Sequence, residues 1–153
     1  MLKRKPKQLS KEHENFIAET LNGKVVIASG ALYFAKGDVI TPDFLIECKA
    51  TQKTYYTLKR TIIEKIEKEA LKCGRLPLLA IRIVDNDFIL FRLFDFKDVD
   101  FEVEVDLKES FKLNLNSAKF LQLIIQVGDT RWQLYPLSDF EDMLKEGTIC
   151  DYE

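Results

Sequence analysis

Apolar positions recur along this chain with two periods. Glu14, Ile17, Ala18 and Leu21 fall at i, i+3, i+4 and i+7. That spacing predicts a helix from Ser10, whose hydroxyl can cap it, to about Leu21, with Asn22-Gly23 as the stop. His13 points off this face and reads as an inert surface residue. KVVIAS (24–29) reads as a first strand, and FLIECKAT (44–51) as a strand entered through a turn at Thr41, Pro42 and Asp43. Leu58, Ile62, Ile63, Ile66, Ala70 and Leu71 return to helical spacing and end at Cys73-Gly74. LPLLAIRIV (76–84) is almost unbroken apolar sequence, as expected of a strand covered on both faces. Further on, FILFRLF (88–94), FEVEVDL (101–107) and RWQLYP (131–136) read as strands, and 117–127 fits helix or strand. Ser138 starts a final helix, and Trp132 belongs to the core or to an interface. The expected fold is α/β: an αβββαβ core with a central mixed sheet flanked by helices, followed by C-terminal strands and a helix.

One strand breaks its own pattern. Side chains at i and i+2 of a strand leave the same face, so Glu47 and Lys49 project together while Ile46 and Cys48 project oppositely. A carboxylate and an ammonium inside an apolar run need partners. The turn at 41–43 brings Asp38 back beside Glu47. Two carboxylates with the peptide carbonyl of Cys48 between them suit a hard divalent cation, Mg²⁺ or in its place Mn²⁺. The bland alternative is an exposed edge-strand pair, with Asp38 in an ordinary loop.

The chain has 153 residues, 46% of them hydrophobic, enough for one core and one domain, 1–153. No run approaches a membrane span and the N-terminus lacks the apolar core of a signal peptide, so the expected location is cytoplasmic. Cys48, Cys73 and Cys150 lack CxxC spacing, which argues against a disulfide framework or a zinc site. Cys48 reads as a small inward-packed hydrophobe. The formal charge of −2 hides an asymmetry: residues 1–84 hold 16 Lys and Arg against 9 Asp and Glu, residues 85–153 hold 7 against 16. A basic half suits phosphates. Residues 1–9, with Lys3, Arg4, Lys5 and Lys7, read as a flexible basic arm, and 85–153 as an acidic C-terminal extension whose stretch 95–106 is a solvated hairpin, a dimer arm or a surface that turns DNA away.

The order ENFIAETLNG (14–23), SGA (29–31), KGDV (36–39) and FLIECKAT (44–51), followed by KIEKEALKCGRLPLLAI (65–81), resembles the PD-(D/E)XK nuclease superfamily, in particular its archaeal and phage Holliday junction resolvase-like members. The resemblance spans roughly residues 10–84. It implies a restriction-endonuclease-like fold with 10–84 as catalytic core, and a Mg²⁺-dependent endodeoxyribonuclease acting in recombination or repair as a homodimer on four-way junctions, in a host's cytoplasm if phage-encoded. By the same resemblance Asp38, Glu47 and the Cys48 carbonyl hold metal, Glu14 (or Glu12) joins them, and Lys49 is catalytic. Ser29 and Gly30 lie beside the scissile phosphate, and Lys36, Gln52, Lys53 and Lys65 contact DNA with the basic arm. A salt bridge to Glu69 is the competing reading for Lys65. Tyr33 and Phe34 stack on DNA or pack in the core. Other nuclease roles and a catalytically dead DNA-binding module are the alternatives. Pro42-Asp43 lies too close to Glu47 to be the motif's own Pro-Asp, so the metal aspartate is assigned to Asp38.

Overall fold

The computed structural model describes residues 4–27, 37–96, 103–116 and 123–147. In chain order these form α1 (Pro6–Thr20), β1 (Lys24–Val25), β2 (Val39–Ile40), β3 (Phe44–Thr51), β4 (Tyr55–Lys59), α2 (Arg60–Lys72), β5 (Leu76–Ile83), β6 (Asn86–Arg92), a 3-10 turn (Leu93–Asp95), β7 (Val103–Asp106), β8 (Ser110–Asn114), β9 (Leu123–Val127), β10 (Thr130–Pro136) and α3 (Leu137–Lys145). Eight strands form one mixed sheet in the order β1-β2-β3-β5-β6-β10-β9-β7, and β4 pairs with β8 in a separate two-stranded sheet. The expected order of helix, strands, helix and strand holds, with β4 added before α2.

The central pair is β3 and β5, parallel, with Glu47 opposite Leu79 and Cys48 opposite Ala80. Parallel strands need a crossover, and α2 supplies it. Ile63, Ile66 and Ala70 of α2 pack with Leu45, Leu79 and Ile81 on one face of the sheet. Ile17 and Ala18 of α1 pack with Phe44, Ile46 and Leu78 on the other, beside Leu137, Phe140 and Met143 of α3. Glu47 therefore lies on the α2 face and Cys48 on the α1 face.

Several expectations change. The helix α1 starts at Pro6 and not at Ser10: Lys5 is extended, Pro6 occupies the first turn and no side chain caps the helix. Residues 6–9 are helical, Leu9 is buried and Arg4 pairs with Glu12 at 3.0 Å, so the described part of the supposed arm is ordered structure. Leu58 belongs to β4 and not to the helix, since β4 pairs residue for residue with β8 and the helix begins only at Arg60. The N-cap of α3 is Pro136, and Ser138 lies inside its first turn without capping it. Of the strand expected at 24–29, only Lys24–Val25 is strand among the described residues. Residues 117–122 lie outside them, and 123–127 is strand. In the C-terminal half, β6, β10, β9 and β7 complete the main sheet, and Trp132 is fully buried in its core. Asp95, expected on the acidic excursion, is buried and bonded to Arg92 at 3.0 Å.

Candidate active site

The site is assembled around the short hairpin of β2 and β3. Thr41 fixes its turn, its hydroxyl accepting the amides of Asp43 (3.3 Å) and Phe44 (2.9 Å). Val39 and Ile40 pair with Ile46 and Leu45. The Asp38 amide also donates to the Ile46 carbonyl at 2.9 Å. Two consecutive residues thus address one, the arrangement of a β-bulge, which re-aims the side chain at its apex. Gly37 makes room for this: a Cβ there would stand 2.7 Å from Cγ of Leu45 and 3.2 Å from the Ile46 carbonyl oxygen. The re-aimed Asp38 carboxylate accepts the Cys48 amide through Oδ2 at 2.8 Å. A strand residue turns its N–H and C=O toward the same edge, so the Cys48 carbonyl faces that side as well.

Glu47, next to Cys48 on β3, is only 4% exposed. Its Oε1 lies 3.6 Å from Nζ of Lys49 and 3.4 Å from Nζ of Lys65 on α2. Of the two readings of Lys65, the contact present is with Glu47. Burial, and then Asp38, push the Glu47 carboxyl above its ordinary value, while Lys65 and Lys49 pull it down. In return Glu47 holds the Lys65 ammonium above its usual value against the opposing effect of burial.

From the other face, α1 brings Glu14. Burial raises its carboxyl, and Asp38 raises it further by charge and by hydrogen bonding, with Glu47 a smaller contributor. Three carboxylates from three elements therefore feel one another, with Asp38 the common neighbour. Among the described residues no three His, Cys, Asp or Glu side chains form a ready-made metal cage. The donors on offer are one or two carboxylates and a carbonyl, an incomplete oxygen set of the kind Mg²⁺ completes with water.

Two neighbours stand differently from their sequence reading, in which Tyr55 and Tyr56 suit phosphate contacts and His13 is an inert surface residue. Tyr56, next to Tyr55 on β4, has its hydroxyl pushed up to about 12 by burial and by Glu47. His13 is not a surface residue: it is fully buried, with Nε2 3.3 Å from Oδ1 of Asp87. Neither of its ring nitrogens has a well-aligned hydrogen-bond partner among the described residues. Asp87 takes a bidentate pair of bonds from Arg82, both 2.9 Å. Burial works to raise the Asp87 carboxyl, but His13 and Arg82 outweigh it and hold it below its ordinary value. Burial pushes the Cys48 thiol well up, helped by Asp38, Glu14, Glu47 and Asp87, so it stays a neutral hydrophobe. The signal for Tyr56 was strand alternation across Tyr55 and Tyr56; the signal for His13 was its i+4 spacing to Ile17.

Of the expected DNA contacts, Arg4, Gln52 and Lys53 line one groove of about 370 Å³ between the start of α1 and the end of β3. Lys5 precedes α1 and Lys7 lies in its first turn, both exposed. Lys65 stands at the site itself. Lys3, Ser29, Gly30 and Lys36 lie outside the described residues, as do Tyr33, Phe34 and Cys150.

No family model matches the chain, and no curated protein does. Among solved structures, a Holliday junction resolvase from the archaeal hyperthermophile Archaeoglobus fulgidus overlaps 68% of this chain and 87% of its own, with a TM-score of 0.46 and 15% identity. An overlap that loose carries no functional argument.

Proposed function

We propose that the chain is a Mg²⁺-dependent DNA endonuclease that hydrolyses phosphodiester bonds, with the four-way (Holliday) junction as its substrate. One observation carries the chemistry. A nearly buried carboxylate, Glu47, shares one oxygen with two lysines while a second carboxylate, Asp38, is locked beside it by the Cys48 amide. Buried charges are costly, and a cluster of carboxylates and ammoniums at the end of an apolar hairpin is an arrangement that folding alone does not favour.

Asp38 and Glu47, with the Cys48 carbonyl, are the residues that would hold the metal, and Glu14 would complete the shell or hold a second metal. Bound there, a divalent cation supplies Lewis-acid polarisation and neutralises charge building on the phosphate. Lys49 is exposed enough to reach solvent, so it orients the attacking water and offers a proton donor to the developing oxyanion. Lys65 helps keep Glu47 ionised and in place. Arg4, Lys5, Lys7, Gln52 and Lys53 bind the flanking backbone without reading sequence. A two-fold homodimer would join the basic surfaces of two subunits across a branched duplex and cut opposing strands.

The test is cleavage with Mg²⁺ of a four-way junction, a linear duplex of the same sequence and single-stranded DNA, with light scattering for the oligomeric state. Paired nicks in the junction by a dimer are expected. A monomer that digests linear duplex as fast as the junction would leave the chemistry standing and remove the junction assignment.

A further inference from the structure

The two-stranded sheet of β4 and β8 has two distinct faces. Leu58 and Leu113 are buried in the core beneath it, with Tyr56 and Phe111 packed alongside. Their strand neighbours Tyr55, Thr57 and Lys59, with Ser110, Lys112 and Asn114 across the register, form the outer face. On that face Lys112 sits diagonally from Tyr55, its Nζ 4.1 Å from the ring centroid. The Nζ of Lys53, in the turn between β3 and β4, lies 5.6 Å from the same centroid.

Two ammoniums drawn to one ring repel each other, and among the described residues neither has a carboxylate within ion-pair distance, while both lie over the Tyr55 ring. Cation–π attraction to Tyr55 holds this pair in place and leaves most of each ammonium's hydrogen-bonding capacity facing outward. Lys53 also lines the groove with Arg4 and Gln52. The clamp therefore adjoins the groove lined by Arg4 and Gln52, and Lys112 comes from the half of the chain that is acidic in sum.

We propose that Lys53 and Lys112, held on the Tyr55 ring, form a second phosphate-binding subsite that grips the DNA backbone a few nucleotides from the scissile bond. It rests on the nuclease reading for the identity of the ligand. Such a site adds affinity and salt dependence without base preference or chemistry.

The test is fluorescence anisotropy of the full chain on a duplex oligonucleotide, titrated over a range of KCl with Ca²⁺ replacing Mg²⁺, together with single-turnover cleavage at saturating DNA in Mg²⁺. Lys112→Gln and Lys53→Gln should each weaken binding by about 3- to 10-fold near 100 mM salt and flatten the salt slope by up to about 0.9. The saturated cleavage rate of Lys112→Gln should equal wild type. Tyr55→Phe should bind as wild type and Tyr55→Leu like the lysine variants. Lys145→Gln, on α3 across the main sheet, should bind normally. Unchanged slopes for both lysine variants, or an equal loss in Lys145→Gln, overturn the subsite while the nuclease reading stands. A wild-type chain that neither binds nor cuts DNA overturns both.

Discussion

Nζ of Lys65, on α2, lies 3.4 Å from Oε1 of Glu47, on β3, and shares that oxygen with Nζ of Lys49 at 3.6 Å. The two lysines are not equivalent. Lys49 leaves the same strand face as Glu47, two residues along β3, whereas Lys65, the more exposed of the two, approaches from the crossover helix. Lys49→Ala should therefore slow cleavage about a hundredfold or more, the scale of a lost electrostatic stabiliser. Lys65→Ala should slow it about tenfold, because Lys49 still compensates Glu47. Single-turnover rates on one DNA substrate measure both, and equal losses would show that Lys65 acts directly on the phosphate.

Glu14 makes a pH prediction. Its carboxyl is raised in the folded chain, first by burial and then by Asp38, so folding favours its protonated form. A raised carboxyl contributes stability that is fully present below its unfolded value near 4.5 and lost as pH rises through the folded value. Ionised Glu14 is thus a liability at neutral pH. Glu14→Gln should raise Tm at pH 7 by no more than about 2 °C, because solvent screening at this partly exposed position discounts the gain. The gain should vanish by pH 4. A Tm unchanged at pH 7 would mean that neither burial nor Asp38 disfavours the ionised carboxyl in the fold.

The opposite sign applies to Asp87. Its carboxyl is lowered in the fold, so its contribution is present above its unfolded value near 3.8 and lost as pH falls through the folded one. Removing the carboxylate leaves Arg82, itself largely buried, without its partner. Asp87→Ala should cost about 3–5 kcal/mol at pH 7, and pairing it with Arg82→Met should recover part of that. Urea unfolding of the single and double variants measures the difference; a single variant as stable as wild type would mean that water takes the place of the carboxylate.

Sequence pattern carried the centre of this fold well and its margins poorly. β3 and β5 stand out because burial on both faces leaves almost no polar residue, so Glu47 and Lys49 read as exceptions with a purpose. The order of α1, the β2–β3 hairpin, α2 and β5 followed from local periodicity. Leu58 was drawn into the helix because it continues the apolar spacing of α2, and what makes it strand is β8, some fifty residues away in the chain. Long-range pairing of that kind leaves no local trace. The early start of α1 was hidden by its lysines, which make a solvated face look like a tail. His13 was misplaced because a polar ring on the buried stripe looks like surface until Asp87, on a distant strand, is seen beneath it. Lys65 could be paired with Glu69 or with the site on sequence alone, and only the packing of α2 over β3 decides for Glu47.

The most direct measurement is a comparison of wild type, Asp38→Asn and Glu47→Gln in single-turnover cleavage of DNA, each with Mg²⁺ and with EDTA. The nuclease reading predicts cleavage by wild type in Mg²⁺, none in EDTA, and at least about a hundredfold loss in both variants with DNA binding retained. Full wild-type activity in EDTA, or normal cleavage by Glu47→Gln, would contradict it and reduce the buried carboxylate to an ordinary charge on a strand.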